Sequence, residues 1–426
     1  MTKKTDTPAI RFKGFSDTWE QRKFDEVFDC TIPNNTLSRA ELNYESGSVR
    51  NIHYGDILIK YGSVVDVQND EIPFATGKSN DDFKGALLQD GDIIIADTAE
   101  DETTGKACEI GNSQGLDVVS GLHTMVCRPR NKMALGYLGY YLNSDAYHHQ
   151  LLPLMQGIKV LSLSRTNVQK TMVCYPKSKA EQQLIADCFR NLDNLITLHQ
   201  RKYEKLHNIK KSMLEKMFPK NGSNVPEIRF KGFTEAWEQR KLEEVGETYT
   251  GLSGKSKDDF GHGSGKFITY MNVFSNPVAS PNMTEAIEID DSQNKVRFGD
   301  VLFTTSSETP DEVGMSSVWL ENAENTYLNS FCFGYRPTAE FNPYYLAYML
   351  RSSSMRKKIT FLAQGISRYN ISKNKMMDIE MPIPSIDEQK KIGSYFANLD
   401  QLITLHQREL EKLQNIKKSM LEKMFV

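Results

Sequence analysis

Two long segments of this sequence return almost unchanged in its second half. Pro8–Val27 recurs as Pro226–Val245 with 14 of 20 positions identical, and Glu181–Phe218 recurs as Glu388–Phe425 with 28 of 38 identical. A repeat this long limits the fold, because each copy must form a similar structural unit. We therefore predict a chain made of two related halves.

Between these segments only short landmarks match, at an offset of 208 residues. They are Gly91-Asp92 with Gly299-Asp300, Arg128-Pro129 with Arg336-Pro337, and Gln156-Gly157-Ile158 with Gln364-Gly365-Ile366. The interiors of the two halves have thus diverged while their frame has not. This contrast predicts two similar scaffolds that carry different surfaces.

Residue types usually found on a surface also match between the two halves. Packing alone fixes only the buried face of a helix and leaves exposed positions free to change. The matching pairs predict that each helix docks a copy of the same partner; a recent duplication is the alternative explanation. These predicted docking residues are Lys210, Lys211, Glu215 and Lys216 in the first copy and Lys417, Lys418, Glu422 and Lys423 in the second.

The segment from about 180 to 218 lacks Pro and Gly and has apolar residues at three- and four-residue steps, which predicts an amphipathic helix. At 1.5 Å per residue a 38-residue helix is roughly 57 Å long, and its apolar seam is typical of a coiled coil. Its expected partner is its own repeat, in an antiparallel pair related by a pseudo-two-fold axis. We predict an N-terminal domain at 1–178, a central helix at 179–218, a linker at 219–225, a C-terminal domain at 226–384 and a second long helix at 385–426.

Within each half, short β-branched runs bounded by Gly and Asp predict strands. One shorter amphipathic helix per half is predicted near Ala134–Leu151 and Pro343–Ile359. The fold class is therefore α+β, with two mixed domains separated by the long helices. The predicted strands are Ile57–Lys60, Ile93–Ala96, Thr124–Cys127, Phe267–Met271, Val301–Thr305 and Tyr327–Tyr335.

Composition excludes several classes of protein. A mean hydropathy of -0.50 and the absence of an 18-residue apolar run argue against a membrane span, and the polar start Met1–Thr7 lacks the features of a secretion signal, so we expect a cytoplasmic protein. Six scattered cysteines predict neither a disulfide frame nor a zinc site. Because the net charge is -3, any positive electrostatic field that attracts nucleic acid must be local or come from partner subunits.

Candidate catalytic motifs fail on inspection. Asn342-Pro343-Tyr344-Tyr345 lacks the second proline of an adenine methyltransferase motif and suits a helix start better, with Asn342 as the N-cap. Gly254-Lys255-Ser256 lacks the first glycine of a P-loop, and the glycine-rich stretch Gly261–Gly265 precedes a strand, which predicts a flexible surface loop instead of a cofactor site. The acidic run Asp97–Glu102 predicts a solvated loop, and the adjacent His148 and His149 cannot easily share a metal on a helix. We therefore predict no catalytic residue and no metal site.

The order of variable domain, long helix, variable domain and nearly identical long helix resembles the specificity subunit of type I restriction–modification systems. The resemblance covers essentially the whole chain. It is carried by the stretch from Gln364-Gly365-Ile366 to Met381–Gln389, by its counterpart from Gln156 to Gln183, and by the Gly-Asp strands at Gly91 and Gly299.

The resemblance implies a non-catalytic subunit whose two target-recognition domains each recognise half of a bipartite, gapped site in double-stranded DNA. It also implies antiparallel helices that dock two modification (methyltransferase) subunits, with two restriction (translocase–nuclease) subunits added for cleavage. S-adenosylmethionine, ATP and Mg are then expected only in those partner subunits, with no cofactor in this chain.

Base recognition needs polar side chains on a few loops, and we place these in the divergent interiors. A solvated surface is the alternative for each. In the first domain the candidates are Lys78, Asn80, Thr103, Thr104, Lys106, Lys159 and Arg165, and in the second they are Lys255, Lys257, Lys266, Ser306, Ser307, Arg368 and Tyr369.

Two other classes of protein stay open on the sequence alone. One is a duplicated coiled-coil scaffold or adaptor that never binds DNA. The other is a fused methyltransferase or nuclease, against which the missing cofactor and catalytic motifs argue.

Overall fold

The computed structural model describes residues 7–220 and 222–426, so the first six residues of the polar start and Asn221 of the predicted linker lie outside the described part. The chain divides into two compact units. The first unit contains the chain up to His199 together with Glu409–Val426, and the second contains Gln200–Arg408. Each unit therefore includes part of both long helices.

The helices of the described chain differ widely in length. Two of them have 38 residues each, and the others are short segments within the domains. They are α1 (Phe24–Val27), α2 (Tyr54–Ile59), α3 (Tyr137–Leu142), α4 (Asp145–His148), α5 (Arg165–Val168), α6 (Lys179–Lys216), α7 (Tyr270–Ser275), α8 (Pro343–Met349), α9 (Ser353–Phe361), α10 (Lys373–Met377) and α11 (Ile386–Lys423).

The strands of the first unit are β1 (Glu20–Lys23), β2 (Phe28–Asp29), β3 (Leu42–Asn43), β4 (Val49–Ile52), β5 (Val64–Asp66), β6 (Phe74–Ala75), β7 (Ile93–Ala96), β8 (Thr98–Ala99), β9 (Ala107–Gly111), β10 (Asp117–Ser120), β11 (Thr124–Pro129), β12 (Leu161–Ser162) and β13 (Met172–Tyr175). The largest sheet has the order β2-β11-β7-β9-β5, beside a sheet of order β10-β4-β6-β3 and the ribbons β1-β13 and β12-β8. Strands β4 and β10 are parallel, as are β5 and β9.

The strands of the second unit are β14 (Glu238–Lys241), β15 (Gly246–Thr250), β16 (Phe260–Ile268), β17 (Thr284–Ile287), β18 (Val301–Thr304), β19 (Ser306–Ser307), β20 (Ser316–Val318), β21 (Thr326–Leu328), β22 (Cys332–Pro337), β23 (Tyr369–Asn370) and β24 (Glu380–Ile383). They form sheets of order β15-β22-β18-β20 and β17-β16-β21, with the ribbons β14-β24 and β19-β23. The first ribbon of each unit pairs the segment after the repeated Arg-Phe-Lys-Gly-Phe with the strand that leads into the long helix.

A buried carboxylate joins the two repeated segments in each unit. In the first, Arg11 donates to both oxygens of Glu181 at 2.6 and 2.9 Å, and the Trp19 indole donates to the same carboxylate at 3.3 Å. A buried charge is stable only when it is paired and hydrogen-bonded, so all three side chains are needed together.

The second unit repeats this arrangement. Arg229 bonds both oxygens of Glu388 at 2.7 and 2.8 Å, and the Trp237 indole donates to Glu388 at 3.1 Å. The same three-residue contact in both units explains why the two distant segments are retained as a pair.

The long helices run antiparallel within each unit. In the first unit Phe189 of α6 stacks on Phe425, and Asp193 accepts an ion pair from Lys417 of α11 at 2.6 Å. In the second unit Lys210 pairs with Asp400 at 2.5 Å, and Phe218 stacks on Phe396. The predicted antiparallel pairing is confirmed.

The end of each long helix completes an aromatic core. Phe425 is buried in the first unit, with ring centroids 5.6 to 6.5 Å from four aromatic side chains. Phe218 takes the same place in the second unit, against Trp237, Tyr345 and Phe396. The four partners of Phe425 are Trp19, Tyr137, Tyr141 and Phe189.

The mixed α+β class is confirmed, but several predicted elements were wrong in detail. The predicted strand at Ile57–Lys60 is the end of helix α2 with its C-cap Lys60, because a short apolar run does not distinguish a buried strand from a buried helical turn. The predicted single helix at 134–151 is broken into α3 and α4 at Asn143, whose amide bonds the backbone of Ala107. The predicted helix at 343–359 is likewise divided into α8 and α9.

Of the other local predictions, the helix cap is confirmed, whereas the glycine-rich loop and some of the strands differ from the structure. Asn342 caps α8 as predicted, accepting from the Tyr345 amide at 3.1 Å. The Gly261–Gly265 stretch lies inside strand β16, so the prediction of a loop there was wrong. The strand predicted at 267–271 ends at Ile268, since α7 begins at Tyr270, and the strand predicted at 327–335 is divided by a loop into β21 and β22.

Phe425→Ala tests the role of the helix end. Removing a fully buried ring leaves a cavity that the surrounding side chains fill only in part, so we expect the free energy of unfolding to fall by about 3–5 kcal/mol. Urea denaturation followed by circular dichroism measures it. The control Phe361→Ala removes a ring that is 88% exposed and is expected to change stability by less than about 0.5 kcal/mol. Equal midpoints for Phe425→Ala and the control would contradict the assigned role.

Candidate nucleic-acid interface

The Gly-Asp and Arg-Pro landmarks of the repeat form one ion pair in each unit, between a buried aspartate and a partly exposed arginine. Arg128 donates to both oxygens of Asp92 at 2.7 and 2.6 Å, and Arg336 bonds Asp300 at 2.8 and 2.7 Å. The pairs link neighbouring parts of the main sheets. These landmarks are therefore structural, and any surface that distinguishes the two units lies elsewhere.

The predicted contact residues before β10 are exposed but engage acidic neighbours. The Lys78 ammonium lies 3.9 Å from Asp82, and the Asn80 amide donates to Asp117 at 3.0 Å. Both side chains face solvent. Weak exposed pairs of this kind leave them free to exchange partners.

Three predicted residues of the first unit sit on the acidic loop between β8 and β9. Thr103 is exposed and hydrogen-bonds Asp101, whereas Thr104 is fully buried and donates to the carbonyl of Asp101 at 2.9 Å. The Lys106 ammonium donates to the carbonyls of Leu58 and Tyr61, and burial lowers its pKa. Thr104 and Lys106 therefore hold this loop in place and are corrected from DNA contacts to structural residues.

In the second unit the structure brings together predicted residues from distant segments. Ser307 pairs with Tyr369 in the β19-β23 ribbon, and the Arg368 guanidinium donates to the Ser306 hydroxyl at 3.3 Å. Both serines are buried, so Arg368 supplies the exposed polar group of this cluster.

The predicted lysines of the second unit divide into two kinds. Lys255 is half-buried and bonds Asp290 at 2.8 Å, which with Ser292 holds the pKa of Asp290 well below its usual range. Lys257 and Lys266 are exposed. Only the latter two keep their ammonium groups available to a polyanion.

The Gln-Gly-Ile landmarks form matched surface hairpins that sequence reasoning treated only as markers of the repeat. In the first hairpin (Gln156–Ser162) the two end residues exchange backbone hydrogen bonds of 3.0 and 2.8 Å. In the second hairpin (Gln364–Asn370) the corresponding bonds are 2.9 and 2.8 Å. Lys159 and Arg368, both predicted DNA contacts, lie on these hairpins and are exposed. Arg165 is half-buried at the start of the helix that follows the first hairpin.

The predicted docking residues of the long helices also divide. Lys211, Glu215, Lys216, Lys418, Glu422 and Lys423 are exposed. Lys210 and Lys417 are not: their ammonium groups pair with Asp400 and Asp193 inside their units. The match of these two lysines in the repeat thus reflects helix pairing within each unit.

The structure reveals a second docking candidate on the helices. Leu195 and Leu198 of α6, and their counterparts Leu402 and Leu405 of α11, are between 43% and 51% exposed. Leucines one turn apart on a helix form a continuous apolar patch. Sequence reasoning missed this patch, because leucine at helical spacing is expected to be buried.

One buried acid, Glu109, belongs neither to the predicted DNA contacts nor to the docking residues of the helices. Glu109 of β9 lies beside a cavity of about 620 Å³, and its carboxylate accepts from the Gly139 amide at 2.8 Å. Burial raises the pKa of Glu109 to about 7, although the backbone hydrogen bonds to its carboxylate act to lower the pKa. Strand pairing places Glu109 opposite Ile93 and Val318 opposite the matching Val301, so its counterpart is Val318 and the acid is particular to the first unit.

Within the described ranges, no group of three His, Cys, Asp or Glu residues is placed to hold a metal ion. Cys30, Cys108, Cys127, Cys188 and Cys332 are thiols, and the sulfurs of Cys30 and Cys127 lie 3.0 Å apart. Among the helices that the structure describes, none combines the length and apolarity needed to cross a bilayer.

Comparison with known proteins gives one consistent match. The model of the type I restriction modification DNA specificity domain matches residues 16–208 and again 234–415. A putative type I restriction enzyme specificity subunit (MjaX) of Methanocaldococcus jannaschii is 22% identical over 95% of this chain and 92% of its own length. The StySPI specificity subunit of Salmonella potsdam is 31% identical over 29% of this chain and 27% of its own.

Among solved structures, the S subunit of a type I restriction-modification system from M. genitalium covers 99% of both chains at 13% identity, with a TM-score of 0.54. At this identity the likeness shows the fold.

Glu109→Gln tests the buried acid through pH. A carboxyl whose pKa rises from 4.5 to about 7 on folding binds its proton more tightly in the folded state, so stability falls as the pH rises from about 4.5 to 7 and levels off above. At about 1.4 kcal/mol per pH unit this loss is on the order of 3 kcal/mol. Urea denaturation across pH 5–8 should show this slope in the native chain and lack it in Glu109→Gln. Parallel profiles for the two proteins would contradict the assignment.

Proposed function

The chain belongs to the type I restriction–modification DNA specificity family, and from this membership we propose that each unit recognises one half of a bipartite, gapped DNA site. The observation that carries the proposal is the doubled family domain, at residues 16–208 and 234–415 of one chain. Two recognition domains in a single chain suit a site made of two different halves.

The contrast between frame and surface supports this division of labour. The Glu181 and Glu388 contacts, the Asp92 and Asp300 ion pairs and the aromatic cores recur in both units. The exposed polar groups do not recur. Lys78 and Asn80 are exposed in the first unit, whereas the second unit exposes Lys257, Lys266 and Arg368. Different side chains on one scaffold are what different half-sites require, because base edges present different donors and acceptors.

The partners we propose are double-stranded DNA, two modification subunits and two restriction subunits. The chain is proposed to be non-catalytic, with S-adenosylmethionine, ATP and Mg bound by the partner subunits, and to act in the cytoplasm. Its net charge of -3 leaves much of the phosphate neutralisation to those partners.

We propose that the exposed leucine pairs dock the modification subunits. Leu195 and Leu198 form one patch and Leu402 and Leu405 the other, each followed along its helix by exposed Lys and Glu. An apolar centre with a polar rim is the usual anatomy of a protein interface. Two equivalent patches on one chain fit two identical partners.

Methylation sequencing of the native strain, with and without this gene, tests the function. We expect one bipartite adenine-methylated motif to disappear on deletion and to return on complementation. A duplicated scaffold that never binds DNA predicts the same methylated motifs in both strains, and that result would overturn the proposal.

Leu195→Asp/Leu198→Asp tests the docking patch. A carboxylate in place of each leucine opposes burial, so we expect one bound modification subunit in place of two, measured by native mass spectrometry. The matched pair Leu402→Asp/Leu405→Asp should have the same effect, and all four changes together should leave none. Ile59→Asp replaces an aliphatic residue on α2 that is 87% exposed; it is the control and should keep two bound subunits. Two bound subunits with all four leucines replaced would contradict this docking site.

A further inference from the structure

We propose that the first hairpin (Gln156–Ser162) and the second hairpin (Gln364–Asn370) are matched DNA-contacting elements. In each, the isoleucine at the tip makes an apolar contact with the duplex that does not depend on base sequence. The proposal rests on the proposed function, since it assumes that both units meet DNA. The hairpin contact would be the same at both half-sites, in addition to the contacts that distinguish one half-site from the other.

The two isoleucines are displayed to solvent in an unusual way. Ile158 is 100% exposed and Ile366 is 95% exposed. Isoleucine is among the residues most often found buried, and leaving one exposed forgoes the stabilisation that its burial would give. Because neither side chain packs on its own unit, the fold gives no reason for an isoleucine at either position.

The turn that presents each isoleucine is built in the same way in both units. Gly157 has φ +131° and Gly365 has φ +144°, values that favour glycine. A Cβ on Gly157 would lie 1.9 Å from the Val160 carbonyl oxygen, and one on Gly365 would lie 2.1 Å from the carbonyl oxygen of Arg368. Each tip is thus closed tightly by its own backbone.

The base of each hairpin is anchored as well. The first hairpin ends in β12, which pairs with β8, and the second ends in β23, which pairs with β19. An apolar tip on an anchored ribbon loses little conformational entropy on binding.

The segments that form and follow both hairpins carry charged residues of positive sign only, which favours a polyanion as the occupant. Residues 156–170 and 364–377 contain no Asp or Glu, although acidic residues outnumber basic ones in the whole chain by 55 to 52. Each stretch carries three cationic side chains, which suit the phosphates on either side of an inserted residue. These side chains are Lys159, Arg165 and Lys170 in the first stretch and Arg368, Lys373 and Lys375 in the second.

The pattern of retention indicates that the contact is common to both half-sites. Gln-Gly-Ile is identical in the two units, but the next three residues change from Lys159-Val160-Leu161 to Ser367-Arg368-Tyr369. A residue that distinguished bases would differ between units that recognise different sequences. Aliphatic side chains inserted in the minor groove contact DNA with little dependence on sequence.

Ile158→Ala, Ile366→Ala and the double variant test the proposal in the assembled complex with its modification subunits. Affinity for a duplex that carries the native motif should fall about tenfold for each single variant and about a hundredfold for the double, because each change removes apolar contact area. The methylated motif should stay the same. Leucine at either position should restore most of the affinity, and Ile59→Ala, equally exposed in the first unit, should bind like the native chain.

The outcomes separate the two proposals. Unchanged affinity in the double variant, a changed methylated motif, or a loss of modification subunits from the complex would each overturn the hairpin proposal. A native complex with no preference for its motif over unrelated duplex would instead overturn the proposed function.

Discussion

The rest of the structure depends on how the end of each long helix packs. Helix α6 starts in the first unit and ends in the second, where Phe218 enters the aromatic core beside Trp237, Tyr345 and Phe396. Helix α11 does the reverse, with Phe425 in the core of the first unit. Neither unit can complete its core from one continuous stretch of chain, so the two units depend on both helices being in place.

This dependence accounts for what the repeat keeps. The end of each long helix must fit the core of one unit while the same helix begins in the other. The ion pairs Asp193–Lys417 and Asp400–Lys210 fix the register of α6 against α11 in each unit. The buried carboxylates of Glu181 and Glu388 then join the start of each helix to the segment that opens each half. Surfaces outside this frame carry no such requirement, and they are where the two units differ.

The sequence predicted the frame well because the frame is repeated. Periodicity identified the long helices and their partner, and the retained landmarks marked buried ion pairs. Local patterns predicted individual elements less well. The apolar run at Ile57 fits a strand as well as a helical turn. The helix break at Asn143 depends on a hydrogen bond to Ala107, which is distant in sequence. Candidate contact residues depended on exposure, which sequence alone does not give. Lys106 is a polar loop residue by type, yet its ammonium serves two buried carbonyls, while Ile158 is apolar by type and fully exposed.

The central claim is that two independent recognition domains share one frame, and a chain with the same domain twice tests it most directly. Replacing residues 226–384 by residues 8–176 keeps the contacts that recur in both units, since the arginine, tryptophan and strand that meet the helix are present in both halves. Methylation sequencing of a strain that carries this chain should give an inverted repeat of a single half-site, because α6 runs from the first unit into the second and α11 runs the reverse way. Persistence of the second native half-site, or methylation of a direct repeat, would contradict the account.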